Sequence, residues 1–230
     1  PAVGNRGASH TVSGSVKAEV HIIDRIRQKP GWLAPVISLF FLLLPQSLMF
    51  FTRTIYLYES RAQGGLGCSI QEIGFAQGTV GVMAFCLGLT LGRRLLLRGS
   101  PRRSFWLFAV ALGLSPLVYL YMTLSPPASL RGICACTCLA QFCFGLGLYA
   151  CRLPVRYISG ERYRNTINLL YIPLVATCLI PPAALSGWLA SVCGYRLFFL
   201  LDALTAPLGW LVTILAMRRY PMAFTRREGA

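Results

Sequence analysis

The chain has 230 residues, 55% of them hydrophobic and only 13% charged, with a mean hydropathy of +0.60. A soluble domain carries about 25% charged residues, so this chain has too little charge to cover a water-facing surface. The net charge of +15 would suit a nucleic-acid partner, but the arginines punctuate apolar stretches instead of forming one basic face, which fits orientation in a membrane and not nucleic acid.

The first residue is Pro1 and the first methionine is Met49, already inside an apolar run, so the sequence reads as a fragment or a processed chain. Residues 1–15 are polar and rich in Gly and Ser, without the apolar run of a secretory signal. Val16, Val20, Ile23 and Ile26 then recur at helical spacing among Lys17, Glu19, Asp24 and Arg25. This pattern predicts a short amphipathic helix within a cytoplasmic linker over residues 1–29. It lies on the inner membrane surface or packs on a neighbouring domain.

Six apolar runs follow, each near the roughly 20 residues that a span needs. The first runs from about Trp32 to Tyr58 and is interrupted by Pro45. The second, about Ile73 to Leu91, is glycine-rich and ends at Gly92-Arg93-Arg94. The third is about Phe105 to Leu124 and the fourth about Gly132 to Leu153. The fifth, about Ile167 to Leu189, carries Pro173 and Pro181-Pro182, and the sixth is about Leu197 to Met217. Residues 30–219 therefore read as an all-α membrane domain of six transmembrane helices, with a cytoplasmic tail over 220–230. In the second span, Gly74 and Gly78 share one helical face and Gly88 and Gly92 another, a spacing that allows close helix approach.

The basic residues test that count. All but four of the 22 lie in the N-terminal stretch, the second-to-third and fourth-to-fifth loops, and the C-terminal tail. The exceptions are Arg53, Arg61, Arg131 and Arg196. Lys and Arg are retained on the cytoplasmic side during insertion, so six spans with both termini inside the cell membrane are expected.

Little in the spans suggests chemistry. Cys134, Cys136 and Cys138 resemble a metal cluster, but helical positions two apart are turned about 200° from each other. No histidine or carboxylate lies nearby, so these cysteines read as small packing residues and no metal or cofactor is expected. A phosphate-binding loop is absent, and no catalytic set of paired carboxylates or nucleophile with base can be assembled. The chain does not read as an enzyme.

Ionisable and polar groups inside spans are costly and are default functional candidates. Arg53 either snorkels to the headgroups, pairs with Glu59 or faces a cavity. Asp202 holds a structural hydrogen bond, meets a partner or couples a proton. Gln46, Gln77, Gln141, Asn168 and Tyr171 either join helices by hydrogen bonds or line a wet path, with Gln46 and Gln141 ranked first for their depth. Together with Pro45, Pro173 and Pro181-Pro182 they predict discontinuous helices around a cavity.

Several motifs resemble a known family. Gly88-Leu-Thr-Leu-Gly92-Arg93-Arg94, followed by Arg98-Gly99 and Arg102-Arg103, resembles the basic inner loop in the second half of major facilitator superfamily transporters. Pro181-Pro182 through Ser186-Gly187-Trp188, then Gly194-Tyr195-Arg196, resembles the link between the last two helices of that superfamily. Gly67-Cys68-Ser69-Ile70-Gln71-Glu72 and Gln141-Phe142-Cys143-Phe144-Gly145 are similar to its muropeptide-permease branch. The resemblance spans about Pro35–Met217. It implies the C-terminal half of a twelve-helix secondary-active transporter, whose partners are membrane lipid, a small-molecule solute of muropeptide or sugar–peptide type, and an N-terminal six-helix half. That branch carries charged residues near the places held here by Gln46, Phe51 and Ala140, so proton coupling would rest on the other half. The alternative from a different class is a six-helix scaffold or regulatory subunit that moves no solute.

Overall fold

The computed structural model describes residues 33–98, 101–152 and 164–219, the side chains at 101–103, 164–172, 217 and 219 excepted. The amphipathic helix and the C-terminal tail expected from sequence lie outside the described residues. Among those described, all regular structure is helical. Six helices are long and apolar enough to cross a membrane, and the chain is an all-α, multi-pass membrane protein.

The helices are α1 (Leu33–Tyr58), α2 (Ile70–Arg98), α3 (Pro101–Leu124), α4 (Leu130–Gly147, tightening to a 3-10 turn over Leu148–Cys151), α5 (Arg164–Cys193) and α6 (Tyr195–Arg219). At 1.5 Å per residue the 26 residues of α1 reach about 39 Å, enough for a hydrocarbon core of roughly 30 Å. α2 starts earlier than its apolar run because Ser69 and Glu72 form a capping box. The Ser69 side chain accepts from the Glu72 N–H and the Glu72 carboxylate accepts from the Ser69 N–H at 2.8 Å. The helix also runs past Leu91, since Arg93, Arg94 and Arg98 are exposed at its end and reach water without breaking it.

Two expectations are corrected. Pro45, Pro173 and Pro181-Pro182 do not divide their helices: α1 and α5 run through them, as α3 runs through Pro116 and α6 through Pro207. The irregular stretch lies instead in α2, where Gly74–Gly81 is π-helical. And of the two glycine pairs only one makes a close contact. A Cβ on Gly88 would lie 2.3 Å from the Phe142 carbonyl oxygen, and one on Gly145 would lie 2.3 Å from the Phe85 carbonyl oxygen, so α2 and α4 cross backbone to backbone. Gly74 and Gly78 have open space around them.

α1 packs on α5, α6 and α3; α4 packs on α2 and α3; and α3 packs on α6. This leaves α2 and α5 at opposite margins. Ser38 bonds Thr213 at 2.8 Å, Trp210 donates to the Ala109 carbonyl at 3.0 Å, and Gly92 meets Tyr149. These contacts bring Arg93, Arg94, Arg98, Arg152 and Arg218 to one end of the bundle. Two apolar clusters fill the interior. One, nearer the arginine end, holds Leu39, Leu43, Phe105, Phe108 and Tyr149; the other, toward the far end, holds Met49, Tyr56, Tyr119, Met122, Phe198 and Phe199.

Candidate functional site

Between the two apolar clusters lies a belt of buried polar side chains. Gln46 donates to the Leu112 carbonyl at 3.0 Å, Ser115 donates to the Ala140 carbonyl at 3.1 Å, and Ser47 donates to the Leu179 carbonyl. Pro116 cannot supply the N–H that would normally bond Leu112, so the Gln46 amide satisfies a carbonyl that proline orphans. Gln141 is buried on α4 with its Cγ packed toward Gly81. Gln46 thus serves to join α1 to α3.

Arg53 and Gln77 lie elsewhere, beyond the belt toward the far end. The Thr54 hydroxyl donates to Gln77 Oε1 at 3.1 Å, which ties α1 to the π-helical segment of α2. The Arg53 guanidinium carbon stands 5.7 Å from the Phe50 ring centroid, and Phe50 and Phe51 lie exposed beside it in edge-to-face contact. The pairing of Arg53 with Glu59 is not observed: Glu59 instead accepts from Tyr195 Oη at 2.7 Å, a bond that holds the start of α6 against the end of α1. Beside that bond a cavity of about 340 Å³ opens between α1 and α5, lined by Thr52, Ile55, Glu59, Gly187, Ser191 and Tyr195 among others. Asp202 is fully buried on α6 with neither carboxylate oxygen bonded among the described residues. Asn168 and Tyr171 fall on α5, where their side chains lie outside the described residues.

Sequence reading missed Thr54, Tyr119, Thr137 and Tyr195. A lone hydroxyl in a helix usually bonds its own backbone, as Thr90 does to the Cys86 carbonyl at 2.8 Å, so it carries no signal of its own. All nine cysteines are free, and among the described residues no three His, Cys, Asp or Glu side chains converge as a metal site would require. Cys68, in the connection between α1 and α2, is buried, which pushes its thiol up; the Glu72 charge adds to this and Arg61 opposes it.

The exposed faces differ in kind. Leu107, Val110, Leu114 and Leu117 on α3, where Tyr121 is also exposed, and Leu200, Leu204, Leu208 and Leu211 on α6 make largely aliphatic faces, as lipid contact requires. On α1, α2 and α5 the exposed surface mixes aliphatic residues such as Ile55, Leu87 and Leu185 and the rings of Phe51, Phe75 and Trp188 with Thr54, Gly78, Thr79, Thr177, Gly187 and Ser191. Exposed small and polar groups are more frequent on these three helices than on the outer faces of α3 and α6.

No family model matches the chain, and no curated protein matches it in sequence.

Proposed function

We propose that the chain is the C-terminal half of a secondary-active solute transporter of the major facilitator type, working by alternating access with an N-terminal six-helix half. The observation that carries this reading is the unequal exposed surface. A free-standing bundle in lipid would be aliphatic on all sides, whereas α1, α2 and α5 expose hydroxyls and glycines among their apolar residues. A solute path with a second half beyond it accounts for that surface. The Thr54–Gln77 bond and the cavity beside Glu59 and Tyr195 supply polar groups along it.

On this reading the arginine-bearing end faces the cytoplasm, both termini lie inside, and the protein resides in the inner cell membrane. The motifs around Gly67–Glu72 and Gln141–Gly145 favour muropeptide or sugar–peptide solutes. The test is a substrate-panel uptake assay on the full-length gene product in vesicles, with anhydro-muropeptides among the solutes. Flux of at least one solute above protein-free vesicles is expected. No flux for any of them, with a stable complex formed on another membrane protein, would replace transport with a scaffold role.

A further inference from the structure

Four side chains in one neighbourhood of the bundle hold hydrogen-bond donors that nothing accepts. Arg53 Nε, Gln77 Nε2, Tyr119 Oη and Thr137 Oγ1 are all buried and all without a partner among the described residues. They come from α1, α2, α3 and α4. The Thr54–Gln77 bond ties Gln77 to the residue that follows Arg53 on α1. Gly81, one turn further along α2, faces α4: a Cβ there would lie 3.3 Å from Gln141 Cγ and 3.5 Å from the Thr137 methyl. Tyr119 lies within electrostatic reach of the Arg53 charge, and its hydroxyl stands beside that of Thr137.

Two members of this set can only donate, and the two hydroxyls can donate as well as accept. The two pure donors are Arg53 Nε and Gln77 Nε2, and the acceptor of the Gln77 amide is already taken by Thr54. Among the described residues no carboxylate answers the Arg53 charge: Glu59 is bonded to Tyr195, Glu72 caps α2, and neither oxygen of Asp202 on α6 is bonded. A buried donor without a partner costs roughly 1–3 kcal/mol, more when charged, and a fold keeps such a set where something else completes it. The complement of one positive charge and several N–H and O–H donors is an acceptor-rich group with a single negative charge. A dianion such as phosphate would leave one charge unbalanced in a low-dielectric site.

We infer that Arg53, Gln77, Tyr119 and Thr137 form a binding site for a singly charged carboxylate on the transported solute. The inference rests on the transport reading and narrows its substrate class. Arg53 carries the charge, and its planar donors suit a carboxylate better than a lysine would. Gln77 and the two hydroxyls complete the set.

The test uses the full-length protein in vesicles. N-acetylglycine, lactate and gluconate are each compared with the corresponding neutral amide and with inorganic phosphate. Carboxylates are expected to be carried in preference to their amides and to phosphate. Arg53→Gln raises the KM for the carboxylate by about ten- to a hundredfold, the worth of a charge-assisted bond; Arg53→Lys recovers part of it. Gln77→Leu and Tyr119→Phe each raise KM by about two- to tenfold with kcat little changed, and these variants decide the matter should Arg53→Gln fail to fold. Amides carried as well as carboxylates, or an unchanged KM in the donor variants, would overturn this site and leave transport standing. No flux of any solute would overturn both.

Discussion

The Leu112 carbonyl, which Pro116 deprives of its helical donor, is the one that the Gln46 amide reaches at 3.0 Å. Removing the amide therefore exposes a defect that proline built in. Gln46→Leu is expected to lower stability by about 1–2 kcal/mol. Pro116→Ala restores a backbone N–H to the same carbonyl, so the double variant should regain most of the loss. Unfolding in mixed detergent micelles gives the cycle; additive losses would show that the two residues are not coupled.

The α2–α4 crossing makes a second, sharper prediction. Gly88→Ala sets a methyl 2.3 Å from the Phe142 carbonyl oxygen and 2.9 Å from the Leu146 nitrogen, both backbone atoms. A cost of about 1–3 kcal/mol follows. Gly78→Ala, on the same helix with nothing within 4 Å, should be neutral or mildly stabilising. Thermal unfolding of the two purified variants side by side checks this, and equal behaviour would mean that α2 is rotated from the orientation described.

At the far end, the Tyr195–Glu59 bond closes α6 onto α1. Tyr195→Phe removes the donor while keeping the ring 5.3 Å from Tyr56, so a loss of about 1 kcal/mol or less is expected. Proteolysis in the connection over residues 59–69 should then become faster. Unaltered cleavage would mean that this bond does not secure that end.

Cys68 allows a test by pH. Its thiol is pushed up chiefly by burial, with Glu72 adding and Arg61 opposing. Only the thiolate is alkylated, so a raised thiol moves the rate profile to higher pH than that of an unfolded peptide. Glu72→Gln should move the profile back down, and Arg61→Gln further up. Mass spectrometry of the Cys68 peptide after timed iodoacetamide treatment reads both shifts directly.

Much of the scaffold was legible beforehand, and the misses have definite causes. The apolar runs placed all six helices, with α1 bounded to within a residue, because a span must be apolar for its whole length. The breaks expected at Pro45 and Pro181-Pro182 did not occur. Neighbouring side chains can supply donors to carbonyls that proline orphans, as Gln46 does for Leu112, and no reading of one helix by itself reveals the neighbour. The functional candidates divided in the same way. Gln46 and Gln141 were ranked first for depth, yet both are buried between helices, whereas Gln77 meets Thr54 at the margin of the bundle.

Composition and the lengths of the apolar runs by themselves determined that this chain has six helices fit to cross a membrane. Lipid is the solvent, and every backbone polar group must be bonded within a helix. Which polar groups meet was decided only by the tertiary structure. A lipid-facing surface is as apolar as a helix interface, so hydrophobic periodicity carries almost no record of how each helix is turned. The gathering of Arg53, Gln77, Tyr119 and Thr137 from four helices depends on those rotations alone.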